Sequence, residues 1–334
     1  MASSKLLGIA FRFIFFMIAF LNYIITVFYI WFPLSMKNSA GFLFLLYYNI
    51  LFALIIWTVW TTAKSDPGQV PLYWGFYIGD PDSKRTRYCL MCNVFKPRRC
   101  HHCSVCCRCI LNMDHHCPWI NSCIGFYNRK YFIQMVFYLI IGIFSSIIAN
   151  TKTCYNLGYE LFKNKFELNW DFFLVCLALI IYIIDLIMSY ILTTFLKFHI
   201  KLILENKTTI ETLDHKGKDF QSEYDKGKWN NWIEVMGITK WLWFFPLKTY
   251  QGKPKGNGID WGINEDVFPP SDRADINNIN NNENDKNIEL SEKLNNDQRE
   301  SDITGITNTR NDISANKTLD RNHHHGSMSS LYQQ

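Results

Sequence analysis

Four uncharged or nearly uncharged runs dominate the first 200 residues of this 334-residue chain and dictate what it can fold into. They are 13–36 (24 residues), 42–63 (22), 131–151 (21) and 172–196 (25), the last holding one acid, Asp185. About 20 apolar residues cross a bilayer as a helix. Backbone polar groups find no partners in lipid, so each run predicts a transmembrane helix. The mean hydropathy of −0.05 conceals these runs because an Asn-rich polar tail offsets them. A wholly soluble chain is excluded, and with it a nucleic-acid-binding domain as the default reading. The net charge of +5 is too mild to imply a polyanionic partner.

The first run is too long for the apolar core of a signal peptide, about 7–15 residues, and Ile30-Trp31-Phe32 offers no small-residue cleavage site. Only 37–41 separates it from the second, so the two form a hairpin. Lys and Arg counts set the orientation. Segment 64–130 carries ten of them, against one (Lys37) between the first two runs and three (Lys152, Lys163, Lys165) between the last two. Segment 64–130 and both termini are therefore expected in the cytosol. An acid within a span costs about 2.5–3.5 kcal/mol at the bilayer centre. Asp185 is read as paired with a polar group on a neighbouring helix.

Nine of the eleven cysteines lie between Cys89 and Cys123, together with His101, His102, His115 and His116. The cytosol is reducing, so metal accounts for this cluster better than disulfides do. Cys89-x2-Cys92, Cys103-x2-Cys106 and Cys106-x2-Cys109 have the spacing of zinc knuckles. Thirteen soft ligands allow two four-ligand zinc sites with five groups to spare, and so short a polar window needs the metal in order to fold. Cys154 and Cys176, in or beside spans, are read as packing residues.

The sequence Asp114-His115-His116-Cys117-Pro118-Trp119 places an acid, two imidazoles and a thiol together. A neighbouring base turns a cysteine into a nucleophile, and an acid can fix the tautomer of that base. Spacing alone leaves a second reading open, in which Cys117 is one more zinc ligand.

These residues, with Lys96-Pro97-x-Arg99 before them and Asn121-x-Cys123-x-Gly125 after, resemble the cysteine-rich domain of the DHHC protein S-acyltransferases, or palmitoyltransferases. Asp66-Pro67-Gly68 is similar to that family's DPG motif and Thr208-Thr209-Ile210-Glu211 to its TTxE motif. Asn231 is similar to its C-terminal asparagine. The resemblance covers roughly residues 10–247. It implies one zinc on Cys89, Cys92, His102 and Cys109, and a second on Cys103, Cys106, His116 and Cys123. Cys117 is then left to carry the acyl group, with His115 as its base and Asp114 orienting that base. By the same analogy Thr209 lies near Asp114. Cys100 and Cys107 depart from the family pattern and are read as inert thiols.

The expected fold is an integral membrane α-helical protein of four transmembrane helices, with a cytosolic zinc-stabilised cysteine-rich domain between the second and third. The expected division is 1–63 (transmembrane hairpin), 64–130 (catalytic domain), 131–196 (second transmembrane pair), 197–250 (cytosolic C-terminal domain) and 251–334 (linker and disordered Asn-rich tail). In 197–250, Trp229, Trp232, Trp241, Trp243, Phe244 and Phe245 predict a short interfacial amphipathic helix. Gly142, Ser145 and Ser146 in the third run are read as helix-packing residues.

The expected reaction passes an acyl group from palmitoyl-CoA, or another long-chain acyl-CoA, through Cys117 to cysteines of membrane-associated proteins. Lys96, Arg98, Arg99, Arg129 and Lys130 are the candidates for the CoA phosphates. Golgi, endoplasmic reticulum or vacuole are the family's usual membranes. The competing readings are a membrane-anchored zinc scaffold that binds partners, which would need no spare nucleophile, and a four-span transporter, which would need more polar groups in its spans than Asp185.

Overall fold

A computed structural model describes residues 2–77, 82–163, 170–215 and 220–262. The disorder expected of 271–334 falls outside them. Among the described residues four helices are long and apolar enough to cross a membrane: Gly8–Ser35, Ser39–Lys64, Arg129–Phe162 and Phe172–Leu204. Phe13, Phe42, Ile148 and Tyr190 leave large apolar surfaces exposed along them, a surface suited to lipid.

The first span helix is α-helical over Ala2–Ile24, widens to a π-helix over Ile25–Trp31 and closes with Phe32–Ser35. Pro33 explains the widening, because it has no N–H to give the preceding turn and its ring crowds the carbonyl four residues back. Asn38 then starts the second span helix by accepting the Gly41 N–H on its side chain at 2.7 Å.

The apolar runs understate the third and fourth helices, which begin or end in polar sequence. A helix satisfies its own backbone whether or not its surface is apolar, so it can continue out of the bilayer. The third helix starts at Arg129, where its first turns are covered by protein. Gln134 donates its amide to the carbonyls of Leu242, Trp243 and Phe245 at 3.2, 2.9 and 3.2 Å, and Tyr138 donates to Phe244 O at 2.5 Å.

Midway through the spans a polar lattice joins three helices. Asn22 donates to both carboxylate oxygens of Asp185, at 2.6 and 2.7 Å, and Ser146 donates to Oδ2 at 2.9 Å. Asn150 donates to Thr26 at 3.0 Å, and Trp31 donates to Asn150 at 3.0 Å. Asp185 is paired, as its sequence suggested. A methyl group on Gly142 would lie 2.8 Å from Ile55, so this position is a helix contact. Ser146 likewise serves helix contact, and Ser145 meets Tyr47 at 2.8 Å.

Between the second and third spans the chain forms three two-stranded antiparallel hairpins: β1 (Tyr88–Cys89) with β2 (Val94–Phe95), β3 (His101–Cys103) with β4 (Arg108–Ile110), and β5 (His115–Cys117) with β6 (Ser122–Ile124). Such short strands have little stability of their own. After the fourth span come the helices Thr209–Asp214 and Lys228–Met236, then a 3-10 turn over Lys240–Trp243. Trp229, Trp241, Phe244 and Phe245 are exposed there, while Trp232 packs inward on the core.

The packed chain does not end at residue 250. Residues 251–262, expected to be linker, lie on the hairpins, where Ile259 and Trp261 pack against a core containing Val70, Cys100, Leu111 and Phe126. The physical reason is a cation: the rings of Trp261 and Tyr224 each lie 4.5 Å from the buried guanidinium of Arg99.

Replacing Asp185 with Ala strands the side-chain N–H of Asn22 and takes one partner from Ser146. A loss of about 1–3 kcal/mol is expected, read as a lower unfolding midpoint in detergent, with Asp185→Asn retaining most of the stability.

Candidate active site

Strand alternation builds the site. Successive side chains of a strand point to opposite faces, so in β5 His116 faces one way while His115 and Cys117 face the other. His116 pairs across the hairpin with Cys123, and Cys117 with Ser122. In the preceding hairpin His102 pairs with Cys109, and Cys103 with Arg108. The two hairpins thus share one pattern, His-Cys-x2-Z-x2-Cys, where Z is Cys106 in one and Ile120 in the other. Cys107 and Asn121 occupy matching left-handed turn positions, at φ 54° and 49°. Cys117 therefore stands where the second hairpin has a knuckle thiol, but its knuckle partner is the buried Ile120.

The ligand sets interleave as the resemblance implied. Cys89, Cys92, His102 and Cys109 form one group, and Cys103, Cys106, His116 and Cys123 another, each with its donor atoms within 4.8 Å of one another. His102 Nδ1 lies 3.5, 3.1 and 4.0 Å from the sulfurs of Cys89, Cys92 and Cys109. His116 Nδ1 lies 3.7, 3.4 and 3.6 Å from those of Cys103, Cys106 and Cys123. Tetrahedral zinc with bonds of about 2.3 Å to sulfur and about 2.0 Å to nitrogen separates two such ligands by about 3.6 Å. Both sets fit that ion. Cys117 belongs to neither. Cys100 is buried beside Cys109, and Cys107 is exposed.

Asp114 is fully buried and anchors the opposite face. Its Oδ2 lies 2.7 Å from His115 Nδ1. Thr209 donates its N–H to Oδ1 at 3.1 Å and its hydroxyl to Oδ2 at 2.9 Å, and Arg129 sits 3.1 Å from Oδ1. Burial alone would raise the Asp114 carboxyl. The Arg129 guanidinium and the His115 hydrogen bond outweigh it and hold the group well below the usual carboxylate range. A carboxylate only accepts, so His115 Nδ1 carries the hydrogen, and in the neutral ring Nε2 keeps the lone pair. Burial would depress His115, but its hydrogen bonds to Asp114 and Cys117 push it up to about 9. The ring thus favours the form it takes after accepting a thiol proton. The parts of a base-activated thiol are present.

The motif Thr208-Thr209-Ile210-Glu211 divides its work. Thr208 accepts the Glu211 N–H at 3.2 Å while Glu211 accepts the Thr208 N–H at 2.8 Å, a reciprocal capping box. That cap leaves Thr209 turned to Asp114. Glu211 also receives Arg99 on both oxygens, at 2.7 and 2.8 Å. Asn231 is buried and donates to Leu204 O, closing the end of the fourth span helix at 2.8 Å.

This placement corrects three of the five expected phosphate contacts. Arg99 is spent on Glu211 and Asn206, Arg129 on Asp114 and Lys207 O, and Lys130 on Gly252 O at 3.0 Å. Each is at most 4% exposed. Buried charges need such partners, and these three lie under the C-terminal segment. Arg98 is exposed beside Glu223, and Lys96 is half-buried.

Sequence reasoning missed His199, which is buried at the end of the fourth helix with Nδ1 3.7 Å from Asp114 Oδ2. A histidine just past a membrane run, nine residues before Thr208, was the available signal.

Two sets of three cysteines and one histidine, with a spare thiol beside an acid–histidine pair at the edge of four membrane helices, define a membrane-bound acyltransferase of the DHHC type. The DHHC palmitoyltransferase family profile matches residues 82–216. Probable protein S-acyltransferase 15 of Arabidopsis thaliana is 31% identical over 70% of this chain and 93% of its own length. Probable protein S-acyltransferase 12 of the same plant is 29% identical over 68% and 82%. Palmitoyltransferase ZDHHC15A of Danio rerio is 29% identical over 69% and 77%. The chain belongs to the DHHC palmitoyltransferase family and is an acyltransferase.

Arg129→Gln leaves the Asp114 charge buried without a cation, and a loss of about 3–5 kcal/mol is expected. Thr209→Val removes one hydroxyl from a carboxylate that keeps its other donors and should cost about 1 kcal/mol. Thermal unfolding of the two purified variants compares them.

Proposed function

We propose that this protein transfers palmitate, or another long-chain acyl group, from its CoA thioester to cysteines of membrane-associated proteins in two steps through Cys117. The observation that supports it most is that both sets of four donors are complete without Cys117, whose side chain instead meets His115.

In the first step His115 Nε2 takes the Cys117 proton, and the thiolate attacks the thioester carbonyl. The carbon–sulfur bond to CoA breaks, and CoA leaves with the proton returned from His115. In the second step a substrate cysteine gives its proton to His115 and attacks the acyl group on Cys117, restoring the free thiol. One thioester replaces another at each step, so no ATP is required. Asp114 holds the Nδ1 hydrogen and offsets the imidazolium charge throughout.

Zinc on the two sets of donors would hold the hairpins in place, and no step passes through it. A long acyl chain gains about 0.8 kcal/mol per buried CH₂, which favours entry of the tail among the span helices while the charged head stays in water. Lys96 and Arg98 remain the candidates for the CoA phosphates.

The excess of Lys and Arg in 64–130 supports a cytosolic catalytic domain between the second and third spans, with both termini on the same side. The domain division 1–63, 64–130, 131–196 and 197–250 follows from that topology, with 251–262 added to the C-terminal domain. Residence in an endomembrane such as the Golgi, endoplasmic reticulum or vacuole accords with the family.

Purified protein given labelled palmitoyl-CoA should take up hydroxylamine-sensitive label and pass it to a cysteine peptide. Cys117→Ser should abolish the labile label with two zinc ions per chain retained, whereas Cys103→Ser should lose metal and fold. Persistent transfer by Cys117→Ser would refute the assignment.

A further inference from the structure

His199 is 2% exposed, and its Nδ1 has no hydrogen-bond partner among the described residues. A buried polar atom left unpaired carries a cost of about 1–3 kcal/mol, and proteins seldom keep one without use. This one lies 3.7 Å from Asp114 Oδ2, and Asp114, His115 and His199 bring their donor atoms within 4.8 Å of one another. The three do not suit a further cation, because the Arg129 guanidinium already stands 3.1 Å from Asp114 Oδ1. Asp114 already accepts hydrogen bonds from His115 and twice from Thr209, with the Arg129 guanidinium beside Oδ1 as an ion pair, so three of the roughly four acceptor sites of the carboxylate are taken. His199 is held just outside bonding distance, as a fourth donor. Hydrogen bonds of this kind are often long before substrate binds and tighten afterwards.

Ring packing gives a second, independent observation. The His199 ring lies 5.4 Å from the His115 ring, tilted by 40°, and Phe132 meets both rings edge-on, at 5.1 Å from His115 and 5.2 Å from His199. Phe195 and Phe198 hold His199 from its own helix, at 4.4 and 5.3 Å. His199 and Phe132 therefore wall the imidazole of His115. The end of the fourth span grips the acid–histidine pair twice, through His199 and through Thr209.

We propose that His199 is a positioning residue of the acyl transfer. It sets the ring plane of His115 and presents a hydrogen to Asp114 Oδ2, so that His115 keeps Nε2 towards Cys117 as the acyl donor enters. The inference rests on the acyl-transfer reading above.

The test is the rate at which purified full-length chain loads labelled palmitate on Cys117, measured against palmitoyl-CoA concentration with zinc content determined alongside. His199→Ala should lower kcat about 10- to 100-fold, the scale of a misplaced reacting group, with KM and both zinc ions unchanged. His199→Asn places an amide donor near the position of Nδ1 and should restore kcat to within about threefold of wild type. The proposal is overturned if His199→Ala keeps kcat within about twofold of wild type. It is also overturned if KM rises at constant kcat, if His199→Asn is no better than His199→Ala, or if both variants lose zinc. A wild-type chain that takes no label on Cys117 overturns the acyl-transfer reading itself, a result distinct from all of these.

Discussion

A carboxylate with no access to water must be neutralised by its neighbours, and around Asp114 those neighbours come from four separate parts of the chain. His115 is adjacent in the strand, Arg129 opens the third span helix, Thr209 follows the fourth, and His199 ends it. One buried charge thereby fixes the cysteine-rich hairpins against the adjoining ends of the third and fourth span helices. Asp114 could be dry only if all these segments met, and their meeting leaves His115 with one free nitrogen beside a thiol.

The hairpins supply the rest by repetition. The second and third share register and turn geometry, and among the positions of the His-Cys pattern they differ at one, Cys106 against Ile120. An apolar side chain in place of a thiol denies Cys117 a knuckle partner. Alternation along β5 then sends His116 towards the metal-binding set and His115 with Cys117 towards Asp114. Strand geometry separates the structural face from the reactive face within three residues. The C-terminal segment completes the enclosure: Arg99 is clamped by Glu211 and covered by Tyr224 and Trp261, and Gln134 and Lys130 bind carbonyls of residues 242–252. The basic side chains most prominent in the sequence thus serve largely to hold this cover in place.

Much of this was legible in the sequence because it depends on local chemistry. Apolar runs of 21–25 residues have one stable form in lipid, and nine cysteines with four histidines in 35 residues have one economical use in a reducing compartment. The resemblance named both sets of four donors, and the geometry brings those same residues together. Less legible was anything that depends on burial. Arg99, Arg129 and Lys130 look alike to Lys96 and Arg98 in a sequence, because a charge does not reveal whether its partner is water, a phosphate or, as for Arg99, a carboxylate 112 residues away. His199 and Trp261 went unread for the same reason, since each matters through contacts with distant segments.

By itself, then, the sequence determined four helices apolar enough for a membrane, a cluster of thirteen soft ligands and a cysteine next to an acid–histidine pair, all set by residue type and short spacing, while the division of the ligands into two sets came with the family resemblance. Only the tertiary structure decided which cations are spent inside the protein, that the C-terminal cover runs past residue 250, and that the fourth span's His199 lies beside Asp114. Those outcomes turn on which side chains lose their water, and that is fixed when remote segments pack, not by any local pattern.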